Sequence, residues 1–390
     1  MTASRPYSRR PYPRRLRTAL LAPAALGVLV ASCSTDPEPA ADSGSAAAGP
    51  ITIEATDEAC VLSETALEAG ITTFAITNGG SQVTEVYVYD GDRIVTEKEN
   101  IGPGTSYELT VDLTEGGYQV ACKPGMVGDG IRTDVEVAAA AEPVEADPLA
   151  EQAVEDYRIY VQGQADLVPG LVEQLGAAIA AGDRAAAQAV YAPSREPWEA
   201  IEPVAESFGD LDPRIDIREA DLEEGQEFTG WHRIEKALWQ GEDLAPMVPV
   251  ADQLLADVLE LQQRVPNAAL TAVSIGNGAK ELLDEVATGK ITGEEEAFSH
   301  TDLFDFQANL DGARRAFEVL QPLVEQNDPQ LAPTLQTQFA AVNTALDPYR
   351  TPDGGFVSYD TVEESGRQEL ARAVDALGEP LSQLAAAAAG

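Results

Sequence analysis

Histidine is almost absent: 390 residues hold two, His232 and His300. A zinc-hydrolase helix presents two histidines and a general base as H-E-x-x-H, and no such pattern occurs. Cysteine is nearly as scarce, with three residues and no C-x-x-C spacing. That excludes a disulfide-dense scaffold and a thiolate zinc site. Basic residues are few, 25 Lys and Arg against 66 Asp and Glu, for a net charge of −41. Such a surface repels nucleic acid and anionic lipid and attracts cations. The length allows two or three domains, each with its own core.

Residues 1–18 are Arg-rich and lack acids, and Ala19 to Val30 form an apolar run too short to span a bilayer. With Val30-Ala31-Ser32-Cys33 this segment resembles a bacterial lipoprotein signal. The resemblance implies removal of residues 1–32, acylation of Cys33, and a mature protein outside the cytoplasm, anchored to the cell membrane. Ser8-Arg9-Arg10 resembles a twin-arginine signal, from which Pro11 and Pro13 depart. Without the six arginines before Cys33 the charge becomes −47. Residues 33–50, rich in Ala, Ser, Pro and Gly, read as a flexible tether.

From residue 51 to 137 the hydrophobic period is two. Ile51–Glu54, Thr73–Thr77, Glu85–Tyr89, Tyr107–Val111 and Thr133–Val137 alternate, with turn signals such as Asn78-Gly79-Gly80 and Gly102-Pro103-Gly104 between them. This predicts a small antiparallel β-sandwich. Residues 138–148, with Pro143 and Pro148, read as a linker. From 149 to 390 the period turns helical, with helices expected over Val250–Val265, Ala268–Ala287, Thr301–Val324, Leu331–Leu346 and Thr361–Ala388. The fold class is a β-sandwich followed by an all-α helical bundle, two stacked bundles or one elongated one.

The stretch Gly230-Trp231-His232-Arg233-Ile234-Glu235 places His232 and Glu235 three apart, on one helix face. A buried imidazole beside a buried carboxylate needs a partner. A metal ion is one, and an internal His–Glu hydrogen bond is the other. Glu196 and Glu199 repeat the spacing. Pro197 suggests that they sit in a first helical turn, where acids also suit the helix dipole. Asp210, Asp212 and Asp216 lie in a Pro-containing loop, and Glu294 to Glu296 precede Ser299-His300-Thr301. Both groups offer ligands or ordinary caps and solvated ends. One imidazole among carboxylates is a hard set, suited to iron.

Cys122, followed by Lys123-Pro124-Gly125-Met126 after a late strand, resembles the ligand loop of a cupredoxin. A blue-copper site adds two histidines, and this unit has none. Cys60 and Cys122 either pair as a disulfide or join Glu85 in a copper site. Val61 stands where some relatives carry an acid. The H-x-x-E stretch, with Tyr191 to Arg195, Ile201-Glu202-Pro203, Asp210-Leu211-Asp212, Ser299 to Leu303 and Asp305 to Asn309, resembles the imelysin-like family. With the sandwich and Glu99 to Gly104, the mature chain resembles the extracytoplasmic component of bacterial ferrous-iron uptake systems. The resemblance implies iron bound by His232 and Glu235, with Glu196, Glu199, Asp212 and Glu295 completing the shell. It also implies a membrane iron permease and a haem dye-decolourising-type peroxidase as partners, and copper-assisted ferrous oxidation in the sandwich. A metallopeptidase and a metal-independent surface-binding lipoprotein are the competing readings.

Overall fold

In the computed structural model, residues 49–141, 147–222 and 225–390 are described. Cys33, its signal and most of the tether lie outside them, as does 142–146 of the expected linker.

Nine strands form two sheets among the described residues. The first has the order β2 (Cys60–Leu62), β1 (Ile51–Ala55), β4 (Gly70–Asn78) and β7 (Ser106–Leu113). The second has the order β3 (Ala66–Glu68), β9 (Ile131–Ala138), β8 (Gly116–Pro124), β5 (Thr84–Asp90) and β6 (Arg93–Ile101). Ile53, Phe74, Ile76 and Val111 of one sheet meet Val86, Val88, Val120 and Val135 of the other in a single apolar core. The sandwich is not wholly antiparallel: β1 runs parallel to β4, and β3 parallel to β9.

Period two predicts one wet face, yet β5 is buried at every position from Thr84 to Tyr89. Its inner face fills the sandwich, and its outer face lies under the helical region. Glu85 is therefore 6% exposed rather than a solvated strand residue.

The helical region contains α1 (Pro148–Ala180), α2 (Arg184–Glu199), α3 (Glu202–Glu206), α4 (Asp212–Ile215), α5 (Gly230–Trp239), α6 (Met247–Arg264), α7 (Ala272–Glu285), α8 (Asp302–Asn327), α9 (Leu331–Leu346), α10 (Glu364–Leu381) and α11 (Leu384–Ala389). One continuous core runs through them. No helix among the described residues is long and apolar enough to cross a membrane.

Proline misleads in α2. Pro193 and Pro197 lie inside the helix, near its end and not its start. Each removes one backbone donor, and their four-residue spacing confines the loss to one face.

The sheet and helical regions meet through α7. Lys98 of β6 pairs with Asp284 at 2.6 Å. Asn277 donates to the Thr96 hydroxyl at 3.1 Å and to the Thr110 carbonyl at 2.8 Å. Ile94 N–H donates to the Ser207 carbonyl at 3.2 Å.

Candidate metal centre

Helix α5 begins at Gly230 with a φ of +72°. A Cβ there would collide with the carbonyl oxygen of Ile215. Only glycine supplies both that conformation and that close approach, so it sets where α5 enters the core. Two residues on, His232 is 1% exposed, and Glu235, one turn further, is fully buried.

Glu235 is held from two sides. Its Oε1 accepts backbone N–H groups from Phe298 at 2.8 Å and Ser299 at 2.7 Å. Its Oε2 lies 3.4 Å from His232 Nδ1. The internal His–Glu hydrogen bond, one of the two partners open to this imidazole, is therefore present. The other ring nitrogen, Nε2, is buried and has no hydrogen-bond partner. Its nearest acids are Asp216 Oδ1 at 3.4 Å and Glu295 Oε1 at 3.8 Å. Donor atoms that share one ion at about 2.1 Å stand about 3–3.5 Å apart, so the spacing to Asp216 suits an interposed cation, and Glu295 stands a few tenths of an ångström beyond it. Asp216, His232 and Glu295 form one possible ligand trio, and His232, Glu235 and Glu296 a second. A cleft lined by Arg218, Glu219, His232, Glu235, Glu295 and Phe298 opens onto them.

Two basic side chains are buried among the acids. Arg195 is completely buried and ion-paired to Glu199 and Asp216, to Glu296 at 2.8 Å, and at longer range to Asp305. Lys290, carried by the π-type turn Val286–Lys290 after α7, meets Glu199 at 3.0 Å and Glu285 at 2.9 Å. Glu296 also accepts from Ser299 Oγ at 2.6 Å and from the Tyr191 hydroxyl at 3.2 Å. Trp198 Nε1 donates to Asp216 at 2.9 Å.

These charges set the proton affinities. Burial and Arg195 push the His232 imidazolium toward losing its proton. Asp216, the Glu235 bond and Glu296 outweigh them and raise its pKa to about 9. Burial, then the charge of Glu235, raises Glu296 to about 8. Burial acts the same way on Glu295, but Lys290, Arg218, His232 and Arg195 hold it well below the usual carboxylate range.

His232, Glu235 and Glu295 thus come together, and Glu199 adjoins them through Arg195 and Lys290. Glu196 does not join them: it is exposed on the outer side of α2, while Glu199, three residues on, is buried. Asp212 stands at the start of α4, near Glu202 and Glu206. Asp216, just past the end of that helix, is the loop aspartate that faces His232. His300 stays out of the cluster; its carbonyl accepts the Tyr359 N–H at 2.8 Å. Sequence reasoning did not single out Arg195, Lys290 or Asp305. Only the four-residue spacing of Arg195 and Glu199 hinted at a pair.

The copper expectation meets two obstacles. Cys60 and Cys122 are joined in a disulfide, so neither offers a thiolate. The register pairs Val86 with Cys122 and Glu85 with Lys123. Cys122 therefore faces the sandwich core and Glu85 the opposite side.

A family model for imelysin (peptidase M75) matches residues 153–384. The iron uptake system component EfeO of Escherichia coli K12 is 37% identical over 345 residues, covering 86% of this chain and 90% of that protein. The protein of the same name from Shigella flexneri matches equally. A crystal structure of an iron-regulated protein A precursor from Parabacteroides distasonis covers 62% of this chain and 96% of its own, with a TM-score of 0.50 and 14% identity, a likeness of fold.

Proposed function

The chain belongs to the imelysin family and, within it, to the EfeO iron uptake components, and on that premise we propose that it captures iron outside the cytoplasm at the His232 cluster. The carrying observation is the buried, unpartnered Nε2 of His232, set 3.4 Å from Asp216 and 3.8 Å from Glu295. Glu235 orients the ring from the other side through its backbone-anchored carboxylate. Iron here is cargo. A carboxylate-rich site releases it more readily than a thiolate cage, and reprotonation of His232 assists release. A membrane iron permease is the receiving partner in this reading, a haem dye-decolourising-type peroxidase is a second one, and a lipid on Cys33 keeps the protein at the membrane. Copper-assisted oxidation requires the Cys60–Cys122 bond to be opened first and does not form part of the reading.

Iron titration with elemental analysis tests it. The whole chain binds iron, and His232→Ala weakens binding at this cluster at least tenfold. Unchanged affinity and stoichiometry in His232→Ala would remove the assigned site.

A further inference from the structure

A second concentration of carboxylates lies where the sheet and helical regions meet. From the sheet, Glu97 and Glu99 of β6 project from the face that carries Tyr87, whose hydroxyl donates to Glu99 at 3.3 Å. From the helices come Glu206, at the end of α3, and Asp212, at the start of α4. These four acids line one cleft of about 880 Å³. Behind them stands Glu202, whose ligand atom lies within 4.8 Å of those of Glu206 and Asp212.

Two observations separate this seam from an ordinary acidic surface. Glu97 is 8% exposed and Glu202 7%, and each has an Oε2 with no hydrogen-bond partner. A buried carboxylate oxygen left unpartnered costs free energy unless a proton or a cation meets it. The second observation is that no basic side chain pairs closely with these acids, although Arg93, Lys123, Arg132 and Arg264 line the same cleft. The His232 cluster already contains Arg195 and Lys290. Among the described residues, Glu97, Glu99, Glu206 and Asp212 take part in no ion pair, and Glu202 only approaches Lys290 at 3.8 Å.

We propose that the seam is a second cation site, in which Glu206, Asp212 and Glu202 from the helical region and Glu97 from the sheet hold one hard metal ion. An all-oxygen donor set of this kind selects Mn²⁺, Mg²⁺, Ca²⁺ or iron over soft ions such as copper(I). Because both regions supply ligands, an ion bound here cross-links them. The site does not depend on the reading of His232.

Manganese(II), counted by electron paramagnetic resonance on the whole chain, tests it in a His232→Ala background. That background retains one bound Mn²⁺. Adding Glu206→Gln or Glu97→Gln weakens the retained ion at least tenfold, with melting temperature showing that each variant folds. Should Glu206→Gln not fold, Asp212→Asn carries the same test. Loss of all Mn²⁺ in His232→Ala alone overturns the proposal, as does unchanged binding in the glutamine variants. If His232→Ala changes nothing in the wild-type count while Glu206→Gln removes the ion, the seam stands and the His232 reading falls.

Discussion

Arg195 occupies the place where a reader of the sequence would put only metal ligands. Its guanidinium is buried against Glu199, Asp216 and Glu296, and removing one partner of such a set leaves charges uncompensated in a dry interior. Arg195→Met is therefore expected to cost about 3–5 kcal/mol at pH 8. The cost should shrink at pH 5, where protonation relieves Glu296, whose pKa burial lifts to about 8. Urea unfolding at the two pH values checks this, and an equal loss at both would contradict it. The residue scale was half legible. His232 and Glu235 stand out because three-residue spacing forces them onto one face. The resemblance points to Asp212 where the structure turns Asp216 toward His232, because nothing in a loop sequence reveals which acid turns inward. The place of Arg195 is not legible, because burial of a cation is decided by residues far away in sequence.

At the scale of elements, α5 depends on its first residue. Gly230 combines a positive φ with backbone contact against Ile215, so Gly230→Ala meets both strain and a clash that neither backbone relieves by a rotamer change. We expect a loss of about 2 kcal/mol or more together with weaker iron binding, because His232 moves with the helix start. Denaturant melts beside iron titration measure both; a variant with wild-type stability would show that the chain relaxes around the methyl group. Periodicity located α9 at Leu331–Leu346 and α6 within three residues of its start, because both carry a clear apolar stripe. It missed β6, whose Arg-Ile-Val-Thr-Glu-Lys-Glu-Asn-Ile puts acids where alternation predicts water. Those acids face the helical region, and a partner surface leaves no mark on the period of the strand it covers. The parallel pairings escaped for a similar reason, since strand direction depends on connections between distant segments.

For the whole molecule, the same buried acids govern stability against pH. Burial first, then neighbouring carboxylates, raises Glu85 to about 7 and Asp212 to about 8. Burial likewise raises Glu281 to about 8, against the pull of Lys98. His232 stands at about 9. Between about pH 4.5 and 9 these groups hold more protons folded than unfolded, so stability falls as pH rises through that window. Glu295, Asp216 and Glu235, held below their ordinary values despite burial, act oppositely and withdraw stability below about pH 4.5. The metal-free chain should melt higher at pH 5.5 than at pH 9, as read by calorimetry with a chelator present; an equal or lower melting temperature at pH 5.5 would contradict the assignment. The division into a sheet region and a helical region was legible because the hydrophobic period changes from two to 3.6. The covered face of β5 and β6 was not, because it belongs to the contact and not to either half.

That contact also bears on how an ion gets in and out. Proteins of two parts commonly open and shut like a jaw around what they carry. Here such a swing would break the Lys98–Asp284 pair, both Asn277 bonds and the Ile94–Ser207 main-chain link. At Gly209 the fit is so close that an added Cβ would sit 2.7 Å from the Asp92 carbonyl oxygen. If iron is exchanged at His232 as proposed, these links leave the movement to smaller parts. Arg218, on the rim of the cleft, pairs with Glu295 at 2.9 Å and with Asp221 at 2.6 Å. Side-chain flips take nanoseconds, where domain hinges take microseconds to milliseconds, so opening this cleft by side chains alone would leave the Lys98, Asn277 and Ile94 links intact.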